Sequence, residues 1–272
     1  MPMRTSMEWA RLSPHEMVFA TASHAWLEPF EREQSAWGIM VGPGSVETTQ
    51  KLLDGAIGAA FSAASPAPPL SRTRWAWRLA GMYHLTHRTT PLMHEAARRF
   101  TAAGRASLAA WAERKALEER GHDRLALRDL EALGYAADAV VTRVVPPIAA
   151  RLVRFFEESV RAADPIGCVG YAYALERLAT TVREEDIRRV EEMLPPGVRA
   201  TRCLRMHSAE GGDPDHVDEI VALVAGLSGP ERTQVAVACH RAARLCFEAP
   251  RDGHPSDEAI EAALRGHKRT AA

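Results

Sequence analysis

The sequence has few of the features that mark a secreted, membrane-spanning or nucleic-acid-binding protein. Its 34 basic and 35 acidic residues leave a formal net charge of -1, so the electrostatic attraction for a phosphate backbone is absent. No apolar run approaches the roughly 18 residues that would span a bilayer, and the first residues lack the apolar core of a secretory signal. Neither nucleic acid nor a membrane is therefore expected as a partner.

Cysteine is also scarce, and its spacing excludes a disulfide framework. The four cysteines form no C-x-x-C pair and are far apart: Cys168, Cys203, Cys239 and Cys246. This usage is typical of reduced thiols in a cytoplasm, which is the predicted location. With 272 residues, of which 46% are hydrophobic, the chain can bury a core without disulfides or structural metals.

What the chain does have is helical periodicity. From Arg72 onward, apolar positions recur at spacings of three and four residues, whereas alternating strand patterns are nearly absent. The fold class predicted from this pattern is all-α, a helical bundle. We expect an N-terminal helical extension with a Pro-rich connector over 1–71, a main body over 72–248, and a tail with a short helix over 249–272.

The positions of proline and glycine, which often end or begin helices, give more local predictions. Within the N-terminal extension, helices are expected over 14–25 and 45–63. A helix is expected to end before Pro91, where a new one begins, and the next to run unbroken from about Arg105 to Leu133. A further helix is predicted to be interrupted near Pro146 and Pro147.

The first chemical signal is the segment "ALEERGHDRLALRDLEALG", residues 116–134. Residues three or four apart share a helix face, so either Glu118 or Glu119 can converge with His122 on one ligand. Taken alone, such a pair is common on solvated helix faces. It becomes informative only together with other candidate ligands.

The second signal is "MHSAEGGDPDHVDE", which holds His207, Asp213 and His216 within ten residues. Asp213 and His216 share a face if a helix begins near Pro214, and the two intervening glycines allow the chain to bend back. Two imidazoles and a carboxylate suit non-haem iron or manganese. The alternative is a loop in which Asp213 caps the following helix.

The third signal is Glu176, a carboxylate within the mostly apolar stretch "GYAYALERLA". Burying an unpaired carboxylate costs several kcal/mol, so an inward-facing Glu176 needs a cation or a proton. A metal would supply the cation, and Arg177 or Arg183 would supply it at a surface. Tyr173, one turn earlier, is a candidate catalytic residue that could hydrogen-bond a ligand or act as a redox-active side chain.

At these residues the chain resembles the haem-oxygenase-like di-iron oxidase and oxygenase superfamily. Members carry a Glu shortly before a His, a lone Glu some fifty residues later, and a His-x-x-x-Asp-x-x-His segment about thirty residues after that. Here His122 and Glu176 are 54 residues apart, and Glu176 and His207 are 31 apart. The resemblance implies a haem-oxygenase-like bundle with a metal site in its core, whose ligands are Glu119, His122, Glu176, His207, Asp213 and His216.

The chain departs from the pattern of this superfamily in two places. Some relatives place the first Glu seven residues before the His, where this chain has Lys115, so Glu119 is taken as the ligand and Glu118 stays open. Gly211 stands four residues after His207, so Asp213 can be a ligand only with a local bulge. Glu210 or Asp215 are its alternatives.

The function implied by the resemblance is that of a non-haem di-iron enzyme. Two Fe(II)/Fe(III) ions with dioxygen as co-substrate would oxidise a small amino acid, amine or acid by N-oxygenation, oxidative C-C cleavage or desaturation, in natural-product biosynthesis. An external electron donor and a homodimer are possible partners. The alternatives are a metal-free member of the fold, similar to thiaminase II or the quinone synthase, and a non-catalytic helical binding protein.

Overall fold

The computed structural model describes residues 7–29, 44–209 and 215–268. In chain order the strands are β1 (Glu8–Ser13), β2 (Glu16–Ala20) and β3 (Ala25–Pro29). The helices that follow are α1 (Val46–Ser62), α2 (Arg72–Ala102), α3 (Ala106–Glu118), α4 (Asp123–Ala132), α5 (Ala137–Arg143), α6 (Pro147–Arg161), α7 (Gly167–Ala179), α8 (Glu184–Met193), α9 (Arg202–Met206), α10 (Asp215–Ala225), α11 (Gly229–Phe247) and α12 (Asp257–Arg265). Helix dominates, and the predicted all-α class is confirmed. Among the described residues, no helix has the length and apolarity to cross a membrane.

By its contacts, the chain divides into two compact units. The first consists of residues 1–64, 158–177 and 214–248, and the second of 65–157, 178–213 and 249–272. The N-terminal residues thus belong to a unit with two later segments of the chain. The domain boundaries at 71/72 and 248/249 stay a prediction.

The N-terminal sheet of the first unit was not expected from the sequence. The helix predicted over 14–25 is wrong, because strands β1, β2 and β3 pair there as an antiparallel sheet in the order β1-β2-β3. The physical reason is cross-strand packing of aromatic residues: Phe19 stands opposite both Trp9 and Trp26, and its ring stacks on Trp26 at 5.6 Å. One face of this sheet packs on α1.

Helices α1 and α11 form the helical part of the first unit, together with α10 and most of α7. Helix α1 confirms the helix expected over 45–63, and its N-cap Ser45 accepts a hydrogen bond from the Thr48 amide. Gly170 on α7 allows a close helix approach, since an added Cβ would lie 2.2 Å from the Val235 carbonyl oxygen of α11.

The second unit is built on α2, the longest helix. The break expected at Pro91 is wrong, because α2 continues through this proline over 31 residues. A proline inside a helix removes one backbone hydrogen bond, but the turns after it bury Leu92, Met93 and Phe100, and α2 packs along α3. This apolar burial offsets the lost bond.

Two other local predictions have different outcomes. The break near Pro146 and Pro147 is confirmed, since α5 ends at Arg143 and α6 begins at Pro147. The unbroken helix from Arg105 to Leu133 is wrong, because the chain turns between α3 and α4. That turn positions the candidate site.

Candidate metal centre

Glu119 and His122 lie in the turn that joins α3 to α4. Glu119 is the C-cap of α3, and its carbonyl accepts a hydrogen bond from the His122 amide at 3.3 Å. Gly121 has φ +88°, a left-handed conformation that glycine adopts without a steric penalty. The turn places His122 Nδ1 3.1 Å from Glu119 Oε2, so the two side chains meet although the helix is broken.

His207 reaches the same place from the end of α9. Its amide donates to the Cys203 carbonyl at 3.3 Å, and its ring lies edge-on to that of His122 with centroids 4.9 Å apart. Glu119, His122 and His207 each offer one ligand atom, and these three atoms lie within 4.8 Å of one another. The structure thus brings together three of the six predicted ligands, from segments of the chain 85 residues apart.

Asp129 fixes the helix that carries His207. It is fully buried on α4, and its carboxylate accepts from the Cys203 amide at 2.9 Å and from Arg202 Nη1 at 3.0 Å. Both donors lie at the start of α9, so Asp129 caps that helix from the side of α4. Burial raises the pKa of Asp129, and these hydrogen bonds act in the opposite direction.

The electrostatic environment of Glu119 favours its ionised form. Burial acts to raise the pKa of this carboxyl, whose side chain is 11% exposed. The hydrogen bond to His122 and the charges of His207, His122 and Lys115 outweigh burial and hold the pKa below its ordinary value. Glu119 is therefore available as an anionic ligand.

Glu118, the other candidate for the first ligand, has a different partner. Its carboxylate forms an ion pair with Lys115 Nζ at 3.1 Å. Glu118 is not a member of the group of three, which contains Glu119. The geometry therefore favours Glu119 for the ligand position that the sequence left open.

The chemistry of the three side chains fits a divalent transition metal. Two imidazoles and one carboxylate that leave further positions open are the donor set of mononuclear non-haem iron(II) centres. Nitrogen and oxygen ligands lie about 2.0–2.2 Å from such metals, so donors around one ion are up to about 4.4 Å apart. The observed limit of 4.8 Å is close to this spacing and needs only small side-chain shifts.

The remaining predicted ligands are distributed differently. Glu176 on α7 and His216 in the first turn of α10 are half-buried, belong to the first unit, and are not members of the group of three. Asp213 and its alternative Glu210 lie outside the described residues. Their roles as ligands stay predictions.

Tyr173, the predicted catalytic residue, is fully buried in the first unit. Its hydroxyl donates to Asp54 Oδ1 at 2.8 Å, and Arg177 donates to both carboxylate oxygens of Asp54 at 2.8 and 3.2 Å. Burial, together with the charge of Asp54, strongly raises the pKa of the Tyr173 phenol. The hydroxyl thus holds its proton in this network, and a redox role for Tyr173 stays a prediction.

The sequence interpretation missed two residues of the site. Asp129 has a recognisable signal, since it shares a helix face with Ala126, which is buried, and is followed by the buried Leu130. A charged residue on such an apolar face indicates a paired, structural carboxylate. Lys115 shows the same signal on α3, where Trp111 and Ala112 are buried beside it.

Comparison with known proteins supports the fold and not the activity. No protein-family profile and no curated protein matches the chain. A solved structure from Shewanella denitrificans, a domain of unknown function with a heme oxygenase-like fold, is similar with a TM-score of 0.56 and 15% identity. The match covers 81% of this chain and 89% of the other. The heme oxygenase-like fold implied by the sequence resemblance is thereby supported.

Proposed function

We propose that this protein is a non-haem iron enzyme that uses dioxygen to oxidise a small amino acid, amine or acid. The observation that carries the proposal is the convergence of Glu119, His122 and His207, whose ligand atoms lie within 4.8 Å of one another. When bound there, iron would supply the redox chemistry that lets dioxygen react with an organic substrate.

The protein's own residues would prepare this centre in three ways. Glu119 supplies the anionic ligand, since its pKa is held below the ordinary value. The hydrogen bond between Glu119 and His122 orients the imidazole, and a carboxylate in this position also fixes its tautomer. Asp129 keeps α9 on α4, and so keeps His207 within reach of the other two ligands.

Several finer parts of the proposal come from the sequence resemblance. The resemblance implies a second iron, with Glu176, His216 and Asp213 as the remaining predicted ligands of the two-iron set. An external electron donor, a homodimer, a cytoplasmic location and a place in natural-product biosynthesis belong to the same expectation. The reaction types proposed are N-oxygenation, oxidative C-C cleavage and desaturation.

The metal-free alternative has less support from the structure. An enzyme similar to thiaminase II would need a nucleophilic cysteine, and a thiolate forms readily only where the pKa is lowered. Burial raises the pKa of Cys203 to about 12 and also raises the pKa values of Cys168 and Cys239. None of these three thiols is activated, which leaves only the half-buried Cys246 as a candidate.

The test is anaerobic loading with ferrous iron, metal counting, and exposure to dioxygen in the presence of a panel of amino acids, amines and acids. We expect bound iron, and oxygen consumption that depends on one class of substrate. His122→Ala should lower iron affinity by about a hundredfold or more, because one of three ligands is lost. His94→Ala, which removes an exposed histidine paired with Glu113, is the matched control.

Two results would contradict the proposal. A protein that binds no iron would support a metal-free role. If His122→Ala left iron content and function unchanged, the chain would be a helical binding protein whose histidines have no part in chemistry.

A further inference from the structure

A buried lysine lies one helical turn before the candidate metal ligand Glu119. Lys115 on α3 is only 3% exposed, whereas lysine is almost never this buried unless it is paired. Its Nζ forms an ion pair with Glu118 Oε2 at 3.1 Å. Residues 115 and 119 share a helix face, and the charge of Lys115 is among those that act on Glu119.

The formal charges around the centre limit how many cations it accepts. Among the described side chains of this group, Glu118 and Glu119 contribute two negative charges and Lys115 one positive charge, so the sum of these three charges with neutral histidines is -1. One divalent ion changes this to +1, and a second would change it to +3. Because the side chains of Glu119 and Lys115 are largely buried, water screens such an excess of positive charge poorly.

Within the part of the chain that the structure describes, the donor set at this place is sufficient for one ion. Glu119, His122 and His207 form the one group of three or more candidate ligands found among the described residues. Glu118, which could otherwise bridge to a second ion, is held by Lys115. Both the charge and the number of ligands therefore favour the binding of a single ion.

We propose that the Lys115 ammonium is a built-in cation of this centre, which lets it bind one divalent ion tightly and weakens the binding of a second. The inference rests on the proposed metal centre and concerns its stoichiometry. Lys115 is thus a positioning residue that acts through Glu118 and through the local charge.

The test is a calorimetric titration of the full chain with Fe(II) under anaerobic conditions, with metal counting after gel filtration. We expect the unsubstituted protein to bind one equivalent tightly. Lys115→Met removes the charge and keeps the apolar length of the side chain. We expect it to bind the second equivalent at least about tenfold more tightly than the unsubstituted protein does.

Two further variants separate charge from packing. Lys115→Met/Glu118→Gln removes the ion pair while keeping the net charge at -1, so the second equivalent should again bind weakly. Lys115→Gln retains a polar end and should behave like Lys115→Met, which keeps the test valid if the apolar variant does not fold. Arg114→Met, an exposed neighbour on α3, loses the same charge and should leave the titration unchanged.

The outcomes distinguish this inference from the proposed function. Two equally tight ions in the unsubstituted protein would overturn the role of Lys115 and leave the iron enzyme in place. A single ion in all the Lys115 variants would overturn it too. Absence of any bound metal in the unsubstituted protein would overturn both.

Discussion

Two partly buried carboxylates, one in each unit, have different kinds of hydrogen-bond partner. Asp54 in the first unit receives hydrogen bonds from the Tyr173 hydroxyl and the Arg177 guanidinium, so its charge is neutralised by a permanent cation. Glu119 in the second unit lies against two imidazoles, His122 and His207. Imidazole and carboxylate are ligands that transition metals prefer, so this group could hold a metal ion.

Burial of a carboxylate is therefore not by itself evidence of a catalytic or metal-binding site. An arginine beside Asp54 makes that network complete as it stands, and its bidentate geometry makes it a structural element. The group around Glu119 combines ligands that transition metals prefer, and its members lie in the turn after α3 and at the end of α9.

The largest expected effect comes from removing the charge of Glu119. Glu119→Gln should lower the affinity for Fe(II) by about a hundredfold, because an anionic ligand and the partner of His122 are lost together. Tyr173→Phe should leave the affinity unchanged and lower the free energy of unfolding by about 1 kcal/mol through the lost hydrogen bond. Calorimetric titration and chemical denaturation measure the two effects.

If Glu119→Gln bound iron normally, the contrast between the two carboxylates would be unfounded. A loss of iron binding in Tyr173→Phe would instead connect the Asp54 network with the metal centre and support a role of Tyr173 in chemistry.

The next effect concerns the helix that carries His207. Asp129→Ala should lower the free energy of unfolding by about 3 kcal/mol, because it leaves a cavity and removes the acceptor of the buried Cys203 amide. Iron affinity should fall by roughly tenfold as His207 loses its fixed position. Asp129→Asn keeps one acceptor oxygen, so its losses in unfolding free energy and in iron affinity should both be smaller. Equal losses in the two variants would argue against this capping role.

A third, smaller effect is the pH dependence of stability that comes from a buried histidine outside the candidate metal centre. Burial, with a contribution from Arg244, lowers the pKa of His240 on α11 to about 4 from the ordinary 6.5. The unfolded chain therefore binds the proton more readily than the folded one between these values. Stability is full above the unfolded pKa and is lost as the pH falls towards 4.

From pH 7 to pH 5, this histidine should account for a loss of about 2 kcal/mol in the free energy of unfolding. His240→Gln should remove that part of the pH dependence, as measured by urea denaturation at a series of pH values. An unchanged pH profile in the variant would mean that His240 is not buried in its neutral form.

Much of the helical architecture could be predicted from the sequence, and its failures have clear causes. The period of the apolar residues predicted helices from Arg72 onward, and the observed helices α2 to α11 lie there. The sheet at residues 8–29 was missed because its strands are short and its stability comes from pairs such as Phe19 and Trp26, which lie on different strands. Pro91 was given too much weight, since packing of α2 on α3 outweighs one lost hydrogen bond.

The sequence by itself determined which residue types are available for chemistry: a Glu and a His close together, and a distant His. Only the tertiary structure decided that Gly121 turns the chain between Glu119 and His122, and that Asp129 holds α9 where His207 meets them. Spacing along the chain can be read directly from the sequence. Convergence across 85 residues depends on the packing of α4 and α9, which no short segment of the sequence contains.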